Sequence, residues 1–241
     1  MITAVILAGG TGVRMNSKTK PKQFLSLHGR PIIIHTLEHF QRHPLVDNIA
    51  IVCVSGWEEE LKQEISKNLI TKVKWVVSGG DTVQLSTYNA LKAVYEECES
   101  PEDTIAIVHD GVRPLIDQKL ITDNINMVKS HGSSITVSYA TETICAADDQ
   151  GMITKVEDRN KARIGKAPQC FYLDELMEAH LKAQREGINW MIDSSSLMNY
   201  YGKELYTVLG STYNVKITSP ADYFIFRALF EAEENSQIFG L

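Results

Sequence analysis

The sequence predicts an α/β domain in which a mostly parallel sheet carries helices on both faces and one β-hairpin arm protrudes. Three observations lead to this. Short apolar runs alternate with helical patterns from Ala4 to Ser138; a glycine-rich turn follows the first run directly; and one polar stretch, 140–166, breaks the rhythm. Sheets of this kind bind ligands beyond the carboxyl ends of their strands, where the loops gather.

Taken in order, Ala4–Ala8 reads as a buried strand, and Ile33, Leu37 and Phe40 recur at helical spacing. Asn48–Val54 is the second strand, Glu58–Leu69 a charged helix and Val73–Val77 the third strand. Asp81 stands three residues before Gln84, as in a capping box, ahead of Leu85, Tyr88, Leu91 and Val94 on one helical face. Thr104–Val108 is the fourth strand, a helix carries Ile121, Ile125 and Val128, and Ser134–Ser138 is the fifth strand. Between Ala140 and Lys166, short alternating runs flank the turn signal Asp148-Asp149-Gln150-Gly151, which predicts the hairpin. Helices resume at Leu173–Gln184 and Asp193–Tyr200. The last helix opens at Ser219-Pro220-Ala221-Asp222, with serine as cap and proline in the first position, and its tail frays after Glu234.

With 241 residues, 44% apolar and 22% charged, the chain can bury a large core, so disorder is excluded as its main description. The net charge of −6 disfavours general nucleic-acid binding, though not a local basic pocket for a small anion. No apolar run approaches the roughly 18 residues of a membrane span, and the start lacks the charged region of a signal peptide. Cys53, Cys98, Cys145 and Cys170 are scattered without a CxxC pair, which argues against a zinc site or a disulfide framework and for a reducing, cytoplasmic compartment.

Leu7-Ala8-Gly9-Gly10-Thr11-Gly12-Val13-Arg14-Met15 lets the backbone approach an anion closely and turn several N–H groups towards it. It lacks the third glycine of a dinucleotide fingerprint and the GK[ST] of a P-loop. A tight turn followed by a solvated basic loop would explain the glycines. It would not explain Arg14, Lys18, Lys20 and Lys22 gathered here in an acidic protein, whereas nucleoside triphosphate chemistry explains both.

LAGGTGVRM followed by PKQFLSLHGRPIIIHTL resembles the opening of the nucleotidyltransferases that make CDP-alcohols. These are the 2-C-methyl-D-erythritol 4-phosphate cytidylyltransferases and the ribitol-5-phosphate cytidylyltransferases of teichoic-acid and capsule synthesis. SGGDTVQLSTYNAL, VHDGVRPLI, KVEDRN, APQCF and NVKITSPADYF continue the match in order, to about residue 226. The resemblance implies one Rossmann-like three-layer domain over 1–241 with a dimerisation arm at about 140–166. It also implies CTP and a polyol phosphate as substrates, with Mg²⁺ as cofactor. The acceptor's phosphate oxygen would attack the α-phosphorus of CTP and displace pyrophosphate, with no general base, because a phosphate is already anionic near neutral pH. Arg14, Lys22 and Lys216 would be catalytic. Leu7, Ala8, Gly9, Gly10, Thr11, Gly12, Gly79, Gly80, Asp81 and Ser86 would hold the nucleotide, and Asp110 the metal. Arg113, Thr143, Arg159 and Lys216 would grip the acceptor.

Plainer readings stand beside these. Asp110 could be a loop carboxylate paired with Arg113, Asp81 a helix cap, Lys216 a surface lysine, and His109 a packing residue. The sequence also departs from the family where the acceptor should sit. The usual TPQ is Ala167-Pro168-Gln169, the TD pair of a late helix is Ile192-Asp193, and Val83 and Leu85 replace an arginine and an aspartate. The resemblance implies a polyol phosphate, ribitol-5-phosphate-like or another pentitol or glycerol phosphate. The two lost hydroxyls suggest a departure from methylerythritol phosphate and from ribitol phosphate too, towards a smaller or differently arranged polyol phosphate, with Arg163 and Lys166 as replacement charge. Methylerythritol phosphate chemistry is the second reading, and a non-catalytic nucleotide-binding protein of the same fold the third. The arm, with Thr143 and Arg159 on it, suggests a symmetric homodimer in which each arm completes the partner's site.

Overall fold

A computed structural model describes residues 1–10 and 20–239. The strands are β1 (Ile2–Ala8), β2 (Ser26–Leu27), β3 (Arg30–Pro31), β4 (Asn48–Cys53), β5 (Val73–Ser78), β6 (Ile105–Asp110) and β7 (Ser133–Tyr139), then β8 (Cys145–Ala147), β9 (Ile153–Val156), β10 (Arg163–Tyr172) and β11 (Thr207–Leu209). The helices are α1 (Ile32–Arg42), α2 (Glu58–Lys67), α3 (Val83–Glu96), α4 (Gln118–His131), α5 (Leu173–Arg185), α6 (Ser194–Tyr200) and α7 (Pro220–Phe239).

Seven strands form the main sheet in the order β11-β7-β10-β6-β1-β4-β5. All neighbours run parallel except β10, which is antiparallel to both β6 and β7. Alternation along each strand divides the core in two. Ala4, Ile6 and Ala8 of β1 and Ile49, Ile51 and Cys53 of β4 pack with α1, α2 and α4, while Val5, Ala50 and Val52 pack with α3, α5 and α6. That is a three-layer domain, built because each strand is apolar on both faces. The chain leaves β1 for β4 and β5 on one side and returns to β6 on the other, so the sheet's switch point lies between β1 and β6, a natural ligand crevice.

Two strands of the main sheet escaped the sequence reading, as did the short pair β2–β3. The segment Arg163–Tyr172 is a ten-residue strand inserted into the sheet, where only the approach to a helix was expected. Its apolar run, Cys170–Phe171, is too short to signal a strand, and the pairing surfaces on β6 and β7 are remote in sequence. The three-residue β11 was missed for the same reason. The last helix does not end at Glu234 but runs to Phe239. Asp222 accepts hydrogen bonds from the backbone of Thr218 (2.8 Å) and Ser219 (2.7 Å), so its N-terminal box forms as expected. Phe226, fully buried with Leu27, Ile32, Val112 and Ile217, ties this helix to the loop after β6.

The hairpin stands apart. β8 and β9 pair only with each other, and Met152, Ile153 and Val156 are each about 60% exposed. Asp148 closes the turn by accepting from the backbone of Gln150 and Met152, both at 3.0 Å, and Gly151 takes the positive φ (+84°) that the turn needs.

Candidate active site

At the switch point, β1 runs into Gly9 and Gly10, and β6 ends at Asp110. A cleft of about 560 Å³ opens there, lined by Leu7, Ala8, Gly9, Gly10, Lys22, Gln23, Gly80, Asp81, Thr82, Val83, Ser86, Asp110, Val112, Lys216 and Thr218. Close contacts at Gly9 and Gly80 leave little room for a side chain, whereas Gly10 has open space around it. A Cβ on Gly9 would meet Val52 Cγ1 at 3.0 Å and Gly79 Cα at 3.3 Å, and one on Gly80 would strike Leu85 at 2.5 Å. Two buried polar side chains brace this backbone. Gln23 donates from Nε2 to the carbonyls of Ala8 (2.6 Å) and Gly10 (3.1 Å). Ser86 Oγ accepts from Gly80 N–H at 3.0 Å and donates to Gly80 O at 3.3 Å.

Beside the cleft lies a smaller cavity of about 120 Å³, lined by Arg113, Lys166, Ala167, Gln169, Ile192 and Asp193 among others. Leu7, Val83, Asp110 and Lys216 belong to both. The common wall carries an ion pair, Lys216 Nζ lying 2.7 Å from Asp110 Oδ1, and Arg113 of the smaller cavity joins it with Nε 2.8 Å from Oδ2. Burial pushes the Asp110 carboxyl up, but the Lys216 ammonium and the Arg113 guanidinium outweigh it and hold the pKa at about 2. Asp110 is therefore ionised throughout the physiological range. His109, fully buried, is pushed down to about 4 by burial, and its Nε2–H donates to Arg113 O at 3.1 Å. It is a packing and loop-holding residue, as the plainer reading had it.

Across the smaller cavity, Gln169 joins β10 to the start of α6. Its Oε1 accepts from Ser195 N–H (2.8 Å), and its Nε2 donates to Asp193 Oδ2 (3.0 Å). Asp193 caps α6 through Ser196 N–H at 2.8 Å. Asn214, buried, donates to Ala167 O at 2.7 Å and so ties the loop carrying Lys216 to the foot of the arm.

The structure thus brings together, in one cleft, Leu7, Ala8, Gly9, Gly10, Lys22, Gly80, Asp81, Ser86, Asp110 and Lys216. Gly79 packs behind it against Gly9. Thr11, Gly12, Arg14 and Lys18 lie outside the described residues. Arg113 lines the smaller cavity. Thr143 and Arg159 are exposed on the arm and line neither cavity.

The cap of α3 is corrected. Thr82, not Asp81, takes the extended N-cap conformation and accepts from Leu85 N–H at 3.1 Å, leaving Asp81 in the cleft wall. Gln84 instead bridges to Ile188 O (2.8 Å) and Met191 N–H (3.1 Å). Gln23, Gln169 and Asn214 were missed as site-builders. Glutamine and asparagine carry no periodic signal, and only their adjacency to PK, AP and VK in the motifs marked them.

Ala167 and Ile192 both line the smaller cavity, which places the two lost hydroxyls in one pocket. Among the described residues no group of three His, Cys, Asp or Glu side chains could cage a metal. Asp110, an ionised carboxylate in the cleft wall that also carries Asp81, would suit Mg²⁺, which keeps its waters and takes phosphate oxygens as further ligands.

The family profile described as "IspD: 2-C-methyl-D-erythritol 4-phosphate cytidylyltransferase" matches residues 2–232. The ribitol-5-phosphate cytidylyltransferase of Streptococcus agalactiae serotype III is 45% identical over 241 residues, all of both chains. That of Vibrio parahaemolyticus is 45% identical over 240 residues, again all of both chains. The 2-C-methyl-D-erythritol 4-phosphate cytidylyltransferase of Clostridium acetobutylicum is 36% identical, covering 96% of this chain and 98% of its own. Among solved structures, the 4-diphosphocytidyl-2C-methyl-D-erythritol synthase of Anaerococcus prevotii superposes with a TM-score of 0.82 at 25% identity, covering 95% of this chain and 96% of that one. The chain belongs to this cytidylyltransferase family of nucleotidyltransferases, with the Rossmann-like fold its motifs implied.

Proposed function

We propose that this protein transfers CMP from CTP to a polyol phosphate, ribitol 5-phosphate first among the candidates, giving a CDP-alcohol and pyrophosphate. The observation that carries this reading is the shared wall. A triphosphate-sized cleft and a small cationic cavity meet at Asp110 and Lys216, so groups bound in each would face one another there. In the reaction an acceptor phosphate oxygen forms a bond to the α-phosphorus, the bond from that phosphorus to the bridging oxygen breaks, and pyrophosphate leaves. Both reactants are anions, so the protein's contribution is alignment and charge. The Gly9–Gly10 backbone, braced by Gln23, and Lys22 receive the phosphates. Lys216 spans both cavities and steadies the phosphate groups as the new bond forms. Arg113 faces the acceptor. Asp110 would hold a Mg²⁺ ion, which would supply counter-charge to the triphosphate.

Ribitol 5-phosphate is placed ahead of methylerythritol phosphate on two grounds. Full-length identity is higher to the relatives named for ribitol, 45% against 36%. The cavity wall also carries Ala167 and Ile192 where the methylerythritol pattern has threonines. A polyol acceptor fits teichoic-acid or capsule synthesis, with the enzyme in the cytoplasm.

The hairpin completes the proposal. An isolated two-stranded ribbon is marginal in water, and its exposed Met152, Ile153 and Val156 call for a covering surface. A homodimer exchanging arms supplies one and would carry Thr143 and Arg159 to the partner's site. Val156→Asp should convert a dimer into a monomer by light scattering at micromolar concentration and lower activity with it. A wild-type monomer with full activity would refute the dimer.

The deciding assay is pyrophosphate release with Mg²⁺ and each nucleoside triphosphate against ribitol 5-phosphate, glycerol phosphates, other pentitol phosphates and methylerythritol phosphate. Release with CTP and ribitol 5-phosphate is expected. A preference for methylerythritol phosphate would move the enzyme to the second reading, and silence with every acceptor would overturn the catalytic one.

A further inference from the structure

The pairing of β10 with β7 slips between Gly165 and Gln169, so Lys166–Pro168 stand outside the regular ladder. Such a bulge re-aims side chains that strict alternation would point elsewhere. Here it brings Lys166 to the wall of the smaller cavity beside Arg113 and Lys216.

The three cations of that cavity are held differently. Arg113 and Lys216 divide the one carboxylate of Asp110. Lys166 Nζ donates only to carbonyl oxygens, of Thr212 at 3.2 Å and Asn214 at 3.0 Å, and among the described residues no carboxylate pairs with it. Arg113 Nη1 donates to the same Asn214 oxygen at 2.9 Å, so two cations converge on one acceptor. Burial and the Arg113 charge hold the Lys166 ammonium below its ordinary pKa, the mark of a missing counter-charge. The cavity's other carboxylate, Asp193, is committed to the α6 N-terminus and Gln169. Carbonyls orient an ammonium without neutralising it, so half-buried Lys166 presents an unbalanced positive charge to any anion that enters the cavity.

We propose that Lys166 binds the phosphate of the acceptor alcohol and contributes to acceptor binding alone, not to nucleotide binding. This rests on the cytidylyltransferase reading above and deepens it. Lys166 lines the smaller cavity and not the nucleotide cleft, whereas Lys216 lines both. The two lysines therefore divide the work: Lys216 acts on both phosphates, and Lys166 holds the acceptor's phosphate alone. The competing role is structural, with Lys166 clamping the 212–216 loop and affecting the acceptor only through Lys216.

Steady-state kinetics of Lys166→Met and Lys166→Arg, with ribitol 5-phosphate and CTP varied in turn, separate these roles. Calorimetric titration of inorganic phosphate into the CTP-loaded protein adds a readout independent of turnover. Loss of one charge-assisted phosphate contact should raise the acceptor KM about 10- to 100-fold in Lys166→Met. The KM for CTP should stay within about twofold, and Lys166→Arg should recover most of the loss, as expected of a retained charge. Phosphate affinity should fall in parallel. An unchanged acceptor KM, or an equal rise in both KM values, would overturn the proposal, the second result assigning Lys166 to the clamp. If the wild-type protein turns over no acceptor, the catalytic reading fails. The phosphate titration still decides Lys166: weaker binding in Lys166→Met sustains it, and equal binding ends it.

Discussion

The two cavities that meet at Asp110 are built from different materials. The larger cleft, proposed to hold the nucleotide, has a backbone portion: Gly9, Gly10 and Gly80 bring main chain to its wall, and Gln23 and Ser86 bond carbonyl and N–H groups there. The smaller cavity is a side-chain surface of Arg113, Lys166, Gln169, Ile192 and Asp193, placed by a bulge, a helix cap and a loop. The backbone portion admits little change, because a Cβ at Gly80 would strike Leu85 and one at Gly9 would crowd Val52 and Gly79. A side-chain site can be rewritten residue by residue without disturbing the strands beneath. The difference teaches how one fold can keep its nucleotide and exchange its alcohol.

The sharpest way to break the comparison is at the wall the cavities share. Asp110→Asn should lower kcat about 10³-fold with both substrates still bound, because it removes the carboxylate proposed to hold Mg²⁺ and leaves Lys216 and Arg113 without their common partner. A loss confined to one KM would mean that the wall belongs to one cavity.

A smaller effect should fall on the nucleotide side alone. Gln23→Ala frees the carbonyls of Ala8 and Gly10, loosening the phosphate loop. The KM for CTP should rise about tenfold while the acceptor KM holds. Equal changes in both would show that the loop is not private to the nucleotide. Lys166→Met is the mirror experiment on the acceptor side.

The smallest effect is thermodynamic. The folded pKa of Asp110, about 2, lies below the ordinary 3.8, so its pairing stabilises the fold above pH 4 and is lost as pH falls towards 2. That shift corresponds to about 2 kcal/mol. In EDTA, the urea-midpoint gap between wild type and Asp110→Asn should shrink by roughly half between pH 6 and pH 3. A gap independent of pH would show that the ion pairs contribute position and no stability.

Much of this was legible before any coordinates. The strand–helix rhythm, the glycine turn, the hairpin signal at Asp148–Gly151 and the box at Ser219–Asp222 are local codes, read within a few residues. The cleft was also legible in part, since Lys22, Asp110 and Lys216 lie in motifs whose order along the chain is itself a signal. What stayed hidden depended on partners far away. Strand β10 exists because β6 and β7 leave a slot between them. The cap differs for a local reason: the helix starts at Val83, so Thr82 and not Asp81 is placed to accept from Leu85 N–H.

The sequence by itself determined the layers, the location of the nucleotide loop and the charge chemistry available to it, because periodicity, glycine and cationic residues act locally. Tertiary structure alone decided that Ala167, Ile192 and Lys166 share one pocket, and that Asp110 and Lys216, 106 residues apart in sequence, form its wall with the nucleotide cleft. The physical reason is that a site at a sheet's switch point is assembled from the ends of several strands. Which ends meet is fixed by strand order, and strand order comes from packing both faces of the sheet at once.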